Sequence, residues 1–248
     1  MTIMPERSPW WYRGRGTVFL VLYALAFSLG TWLWTRGGAA PQSTFAWLAQ
    51  TTGASPRVWL ALAASASVIC VLLRVWGSSY LTPAVVWNPD ALDDVLYVDG
   101  PFRYVRNPLY LGNIFLALGI GALATPCGFG IVVLGSIAFC IMLADHEARG
   151  MRAQFGATFD AYRRAVPALL PRLVPARVEG SRRGDPSFAF GFRSELLTTA
   201  LALGTVIVAV EPQLGGMPIF WAWIAGFVAQ TIVALRERRR VSASRAEP

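Results

Sequence analysis

The sequence predicts an all-α membrane protein with about six transmembrane helices and a helical segment on the cytoplasmic side. Three observations lead there. Hydrophobic residues make up 55% of the 248 and charged residues only 15%, with a mean hydropathy of +0.48, outside the balance of a soluble domain. Apolar runs of about 17–20 residues recur, each able to cross roughly 30 Å of hydrocarbon at about 1.5 Å per helical residue. The basic residues, all arginine, gather at alternate ends of those runs.

Residues 1–16 form a cytoplasmic arm with Arg7, Arg13 and Arg15. The first span covers Thr17–Trp34. Ala24-Leu25-Ala26 looks like a signal-cleavage site, but the apolar run continues through Trp32 and Trp34, which favours an uncleaved anchor. Gly37–Pro56 reads as a polar outer loop, and Val58–Trp76 as the second span, closing an N-terminal pair over residues 17–76. From Gly77 to Arg106, Pro83, the Asn88-Pro89-Asp90 turn signal and the acids Asp90, Asp93, Asp94 and Asp99 suggest a folded cytoplasmic connection.

Spans three and four, Pro108–Ala124 and Gly128–Ala144, adjoin through Thr125-Pro126-Cys127-Gly128 and must form an antiparallel hairpin. Asp145–Tyr162 continues as a helix leaving the membrane, until Pro167, Pro171 and Pro175 end it. The core therefore occupies 77–177. A linker follows over 178–193, carrying Gly180, Arg182, Arg183, Gly184 and Pro186. Residues 194–248 hold spans Leu196–Val210 and Pro218–Leu235 and a basic tail.

Arginines flank the N-terminal arm, the second connection, the stretch after span four and the tail, whereas the turns near Pro126 and Gly215 have none. The positive-inside rule then makes both termini and Ala144–Ser194 cytoplasmic; the expected location is a bacterial inner membrane, with the active site facing the cytoplasm. The net charge of +8 thus serves orientation and anionic lipid; because each cluster borders a span, nucleic acid is not expected as a partner. Cys70, Cys127 and Cys140 form no CxxC and lie in or beside apolar runs, so no metal is expected and they read as packing residues.

Folding the hairpin brings distant polar residues together. With the turn centred between Pro126 and Cys127, positions at equal depth have numbers summing to about 253, since both helices rise equally. Asn107 then meets the level of His146, Arg106 that of Glu147 and Tyr110 that of Leu143. Asn107 and Tyr110 share a helix face, and Gly112 leaves room for a close approach. A structural account covers the same residues: Asn107 before Pro108 is a good N-cap, Tyr110 an interfacial anchor, and Asp145 with Arg149 an i, i+4 pair.

The run Leu96-Tyr97-Val98-Asp99-Gly100-Pro101-Phe102-Arg103-Tyr104-Val105-Arg106-Asn107-Pro108-Leu109-Tyr110-Leu111-Gly112 resembles the signature of the isoprenylcysteine carboxyl methyltransferase and phospholipid methyltransferase superfamily. A second half follows in order: His146-Glu147-Ala148-Arg149, Phe155-Gly156, Phe159, Tyr162 and Val166-Pro167 through Pro171-Arg172-Leu173. Two departures stand out. Asn107 replaces the more frequent histidine, and His146 replaces the first of two glutamates.

The resemblance implies an integral-membrane enzyme that transfers a methyl group from S-adenosylmethionine to a lipophilic acceptor, a prenylcysteine-like carboxylate, a phospholipid amine or another membrane lipid. It places Arg106, Asn107, Tyr110, His146 and Glu147 at the cofactor. Arg103, Arg149 and Tyr162 fall on the substrate side, and Arg103, His146 and Arg149 are the candidates for catalysis. A non-catalytic binding or scaffold protein on the same fold, and a nicotinamide-dependent membrane reductase, are the alternatives. The spans carry almost no midplane charge and no paired broken helices, which disfavours a transporter.

Overall fold

The computed structural model describes residues 8–82, 95–178 and 185–244, with side chains as far as 237. Arg7, Pro83, the Asn88-Pro89-Asp90 turn with Asp93 and Asp94, and Gly180 to Gly184 with Arg182 and Arg183 lie outside those residues. Among the described residues the chain is all-helical, with 76% helix and no strand.

A short helix α1 (Trp10–Arg13) leads into α2 (Arg15–Phe27), which continues through a hinge at Ser28 into α3 (Leu29–Arg36). The Ser28 hydroxyl donates to the Ala24 carbonyl at 2.6 Å, a back-bond of the kind that bends helices. The stretch expected as an outer loop contains a helix, α4 (Thr44–Thr52). Its first turn is fixed from outside: the Thr44 amide and hydroxyl donate to the Ala124 carbonyl at 2.7 and 2.8 Å, and the Phe45 amide to that of Ala122 at 3.1 Å. Those carbonyls lie at the turn between two later helices, so α4 satisfies a helix end that would otherwise be unpaired.

Helix α5 (Pro56–Ser79) starts with proline in its first turn and the Ser55 hydroxyl accepting from the Arg57 amide. It is the central element, packing along α6 (Pro108–Gly121), the short α8 (Phe188–Ser194) and α9 (Leu196–Val210). Helix α7 (Pro126–Ala165), capped by Thr125, pairs with α6 and is covered by α2 and α3. Helix α10 (Met217–Ser244) packs on α9. Within the stretch expected as a linker, α8 is therefore a packed helix.

Among the described residues, four helical runs can cross a membrane by length and composition: Arg15–Arg36, Pro56–Ser79, Pro126–Ala165 and Met217–Glu237. Helices α8 and α9, bent by 72° at Glu195, make a fifth when taken together. The third expected span, α6, is a shorter apolar helix. All six apolar runs are thus helical, but they do not all have spanning length. The three cysteines are free, with Cys70 and Cys140 fully buried among apolar side chains.

Helix α7 breaks once, at Gly156, with φ 52° and ψ −125°. That conformation is accessible essentially to glycine alone, and it turns the last ten residues so that Phe159 and Tyr162 join Leu96, Val98 and Val166 in a separate apolar cluster.

Candidate functional site

The site begins with a proline-rich strap. After α7 ends, residues 166–176 run back beside 103–107, bonded through their backbones: Arg106 N–H to Pro167 O at 2.9 Å, Asn107 N–H to Ala168 O at 3.2 Å, Arg172 N–H to Tyr104 O and Ala176 N–H to Arg103 O, both at 2.9 Å. Side chains reinforce the pairing. Arg106 Nε donates to Val166 O at 2.9 Å, Arg103 Nε to Ala176 O at 3.0 Å, and Asn107 Nδ2 to Ala168 O at 3.1 Å. Asn107 occupies the N-cap position of α6, yet its side chain makes no capping bond and reaches the strap instead. The Tyr162 hydroxyl donates to Phe102 O at 2.8 Å and is buried. Burial lowers the Arg106 pKa from its ordinary value, with Arg163 adding to the effect.

The strap fixes the start of α6, and the hairpin register brings Tyr110 to α7. The Tyr110 carbonyl accepts from Cys140 Sγ at 3.5 Å, and its hydroxyl reaches Glu147 Oε1. A second phenol arrives from the N-terminal arm: Tyr12 OH donates to the same Oε1 at 2.9 Å. His146 lies between Trp11 and Tyr12, with ring centroids 5.2 and 4.7 Å apart. Arg15 sits 5.1 Å from the Tyr12 ring centre. Glu147 thus accepts from two tyrosines, one of which packs on the neighbouring His146 ring, a combination of carboxylate and aromatic rings suited to a cation.

Of the residues expected at the site, Arg106, Asn107, Tyr110, His146, Glu147, Arg149 and Tyr162 line one cavity, and Arg103 does not. Arg149 forms an exposed ion pair with Asp145. Tyr12 and Trp11 were not anticipated; the Trp10-Trp11-Tyr12 run in a basic arm is the signal that would have found them.

A second polar group was also missed. Arg74 Nε meets Glu195 Oε2 at 2.6 Å, and its Nη1 donates to Asn113 Oδ1 at 2.6 Å and Leu109 O at 3.3 Å. Glu195 also accepts from Ser78 at 2.8 Å and Thr198 at 3.1 Å. Gly112, expected to permit a close approach, does so for Arg74: a Cβ there would lie 2.6 Å from Arg74 Cγ.

Both polar groups open on a cavity of about 2700 Å³. From the arginine-rich end it runs between α2, with Leu20, Tyr23 and Phe27, and the α9–α10 pair, with Leu201, Phe220, Trp223 and Phe227. Its floor is α6, through Tyr110, Asn113, Leu116 and Ile120.

Two curated proteins are similar over part of their length. Methanethiol S-methyltransferase 2 of Bradyrhizobium diazoefficiens is 37% identical over 82 residues, 33% of this chain and 31% of that protein. Cobalt-zinc-cadmium resistance protein CzcN of Cupriavidus metallidurans is 28% identical over 111 residues, 44% of this chain and 47% of that protein. The chain therefore spans less than a third of one of these relatives and less than half of the other. No family model and no solved structure matches.

Proposed function

We propose that this chain is an integral-membrane methyltransferase that uses S-adenosylmethionine and methylates a lipophilic acceptor, with its site at the cytoplasmic face. The observation that carries the reading is Glu147, a carboxylate anchored by Tyr12 and Tyr110 beside His146, at the arginine-rich end of a cavity whose walls are largely apolar. The similarity to a methanethiol S-methyltransferase supports it.

The residues present fit such a donor. Glu147 and the rings of Tyr12, Tyr110 and His146 would face its positive groups, and Arg15, which also lines the cavity, would pair its carboxylate. When bound, the donor would supply an electrophilic sulfonium methyl for the acceptor's lone pair, the sulfur keeping the electrons of the broken bond. The protein's contribution is alignment and exclusion of water. The strap holds the entrance of α6 rigid, and the apolar walls of α2, α9 and α10 keep the acceptor in one orientation. Arg103, Asn107 and Tyr162 support that geometry through backbone carbonyls. His146, which lines the cavity beside Tyr12, would accept a proton if the acceptor must lose one.

Calorimetric titration with S-adenosylmethionine tests the reading. Glu147→Gln should weaken binding by about tenfold or more, the cost of one charged partner. Unaltered affinity would remove Glu147 from the donor site, and no binding by the unmodified protein would end the proposal.

A further inference from the structure

The donor end leaves the Arg74 group unused, although it lines the same cavity. Asn113 lies three residues beyond Tyr110 on one face of α6, about 4.5 Å further along the axis. Arg74 reaches it from α5 across the space that Gly112 leaves. The network engages Nε and Nη1 of Arg74 and Oδ1 of Asn113. Nη2 of Arg74 and Nδ2 of Asn113, donors both, take no part in it. Because Oδ1 accepts from Arg74, the orientation of the amide is set. Glu195 lines the cavity too, but it is only 2% exposed and its oxygens are engaged by Arg74, Ser78 and Thr198, whereas the Arg74 side chain is 18% exposed. The cavity therefore meets donors at this level, on a guanidinium whose charge Glu195 already balances.

We propose that Arg74 and Asn113 form the subsite for the acceptor's head group. It takes a molecule with an apolar tail and a hydrogen-bond-accepting oxygen or sulfur at its head, a carboxylate or thiolate, in preference to an amine. This rests on the methyltransferase reading and narrows it. An acceptor head completes the free edge of a guanidinium and an amide with charge-assisted bonds, whereas an ammonium sets donor against donor and cation against cation. The tail follows from the walls: Leu20, Phe27, Leu201, Phe220 and Trp223 offer it apolar surface.

The test uses the full chain in phosphatidylcholine nanodiscs, reading the thermal unfolding midpoint with dodecanoate, dodecylammonium or acetate, and separately with S-adenosylhomocysteine. Dodecanoate should raise the midpoint, and dodecylammonium and acetate should not. Asn113→Leu should weaken the dodecanoate response by about tenfold or more. Asn113→Asp keeps an oxygen for Arg74 but replaces the donor edge with an acceptor, so it should move the preference to dodecylammonium. The loss is read on Asn113→Leu and the inversion on Asn113→Asp, so either variant that folds tests the subsite. Equal stabilisation of the unmodified protein by dodecylammonium, or a dodecanoate response unchanged in both variants, would overturn the subsite. Acetate matching dodecanoate would overturn the tailed acceptor in favour of a small soluble anion. A response to S-adenosylhomocysteine without one to dodecanoate refutes the head-group subsite alone, and the reverse refutes the methyl-donor reading alone.

Discussion

A single backbone angle decides how the end of α7 turns back toward Arg106. At Gly156, φ is 52°, and a side chain there would be strained against its own backbone rather than against a neighbour, since no other atom lies within 4 Å of the place a Cβ would take. Gly156→Ala should therefore destabilise the fold of the 155–176 segment by about 1–3 kcal/mol, visible as earlier loss of protection around Phe159 and Tyr162 in hydrogen exchange. Gly112 works through space instead. A β-carbon at that position would collide with the Arg74 stem, so Gly112→Val should disturb the Arg74–Asn113 bond while leaving Glu147 and its tyrosines in place. The check is unchanged S-adenosylhomocysteine affinity together with a weakened acceptor response.

Among the elements, the strap depends on side chains acting on backbone. Arg106 holds Val166 O and lies 5.9 Å from the centre of the Phe159 ring, so Arg106→Ala should loosen the strap without unfolding α6 or α7. Amide exchange at Arg172 and Ala176 should quicken by roughly five- to tenfold, equivalent to about 1 kcal/mol of local stability. Unchanged exchange would mean that the backbone bonds alone suffice. The α6–α7 register behind this arrangement was readable from the sequence, because a short turn between two regular helices leaves little freedom. A Cβ on Gly121 would lie 2.8 Å from Val132, and those numbers sum to the expected 253. What Asn107 and Arg106 do there was not readable. Their partners are carbonyls of an irregular segment about sixty residues away, and no periodicity specifies which carbonyl a proline-rich return will present. The aromatic arm shows the same limit: Tyr12 lies 135 positions from Glu147, and only the assembled bundle makes them neighbours.

For the molecule as a whole, Glu195 joins the last two helices to the rest. It sits where α8 and α9 bend by 72° and it pairs with Arg74 on the central α5. Glu195→Ala leaves that guanidinium without its partner, and the expected loss is about 3–5 kcal/mol, measured as a lower unfolding midpoint in nanodiscs. The six apolar runs announced the helices; the bend and its ion pair were hidden, because a lone glutamate beside an apolar run looks like a boundary in one dimension. Its place beside Arg74 also bears on biogenesis. A carboxylate enters hydrocarbon at little cost only when its counter-ion is already there, so the final hairpin should settle after α5 has been integrated. Assembly of this protein during translation then has a preferred sequence of events, with the early helices acting as a receptor for the late ones.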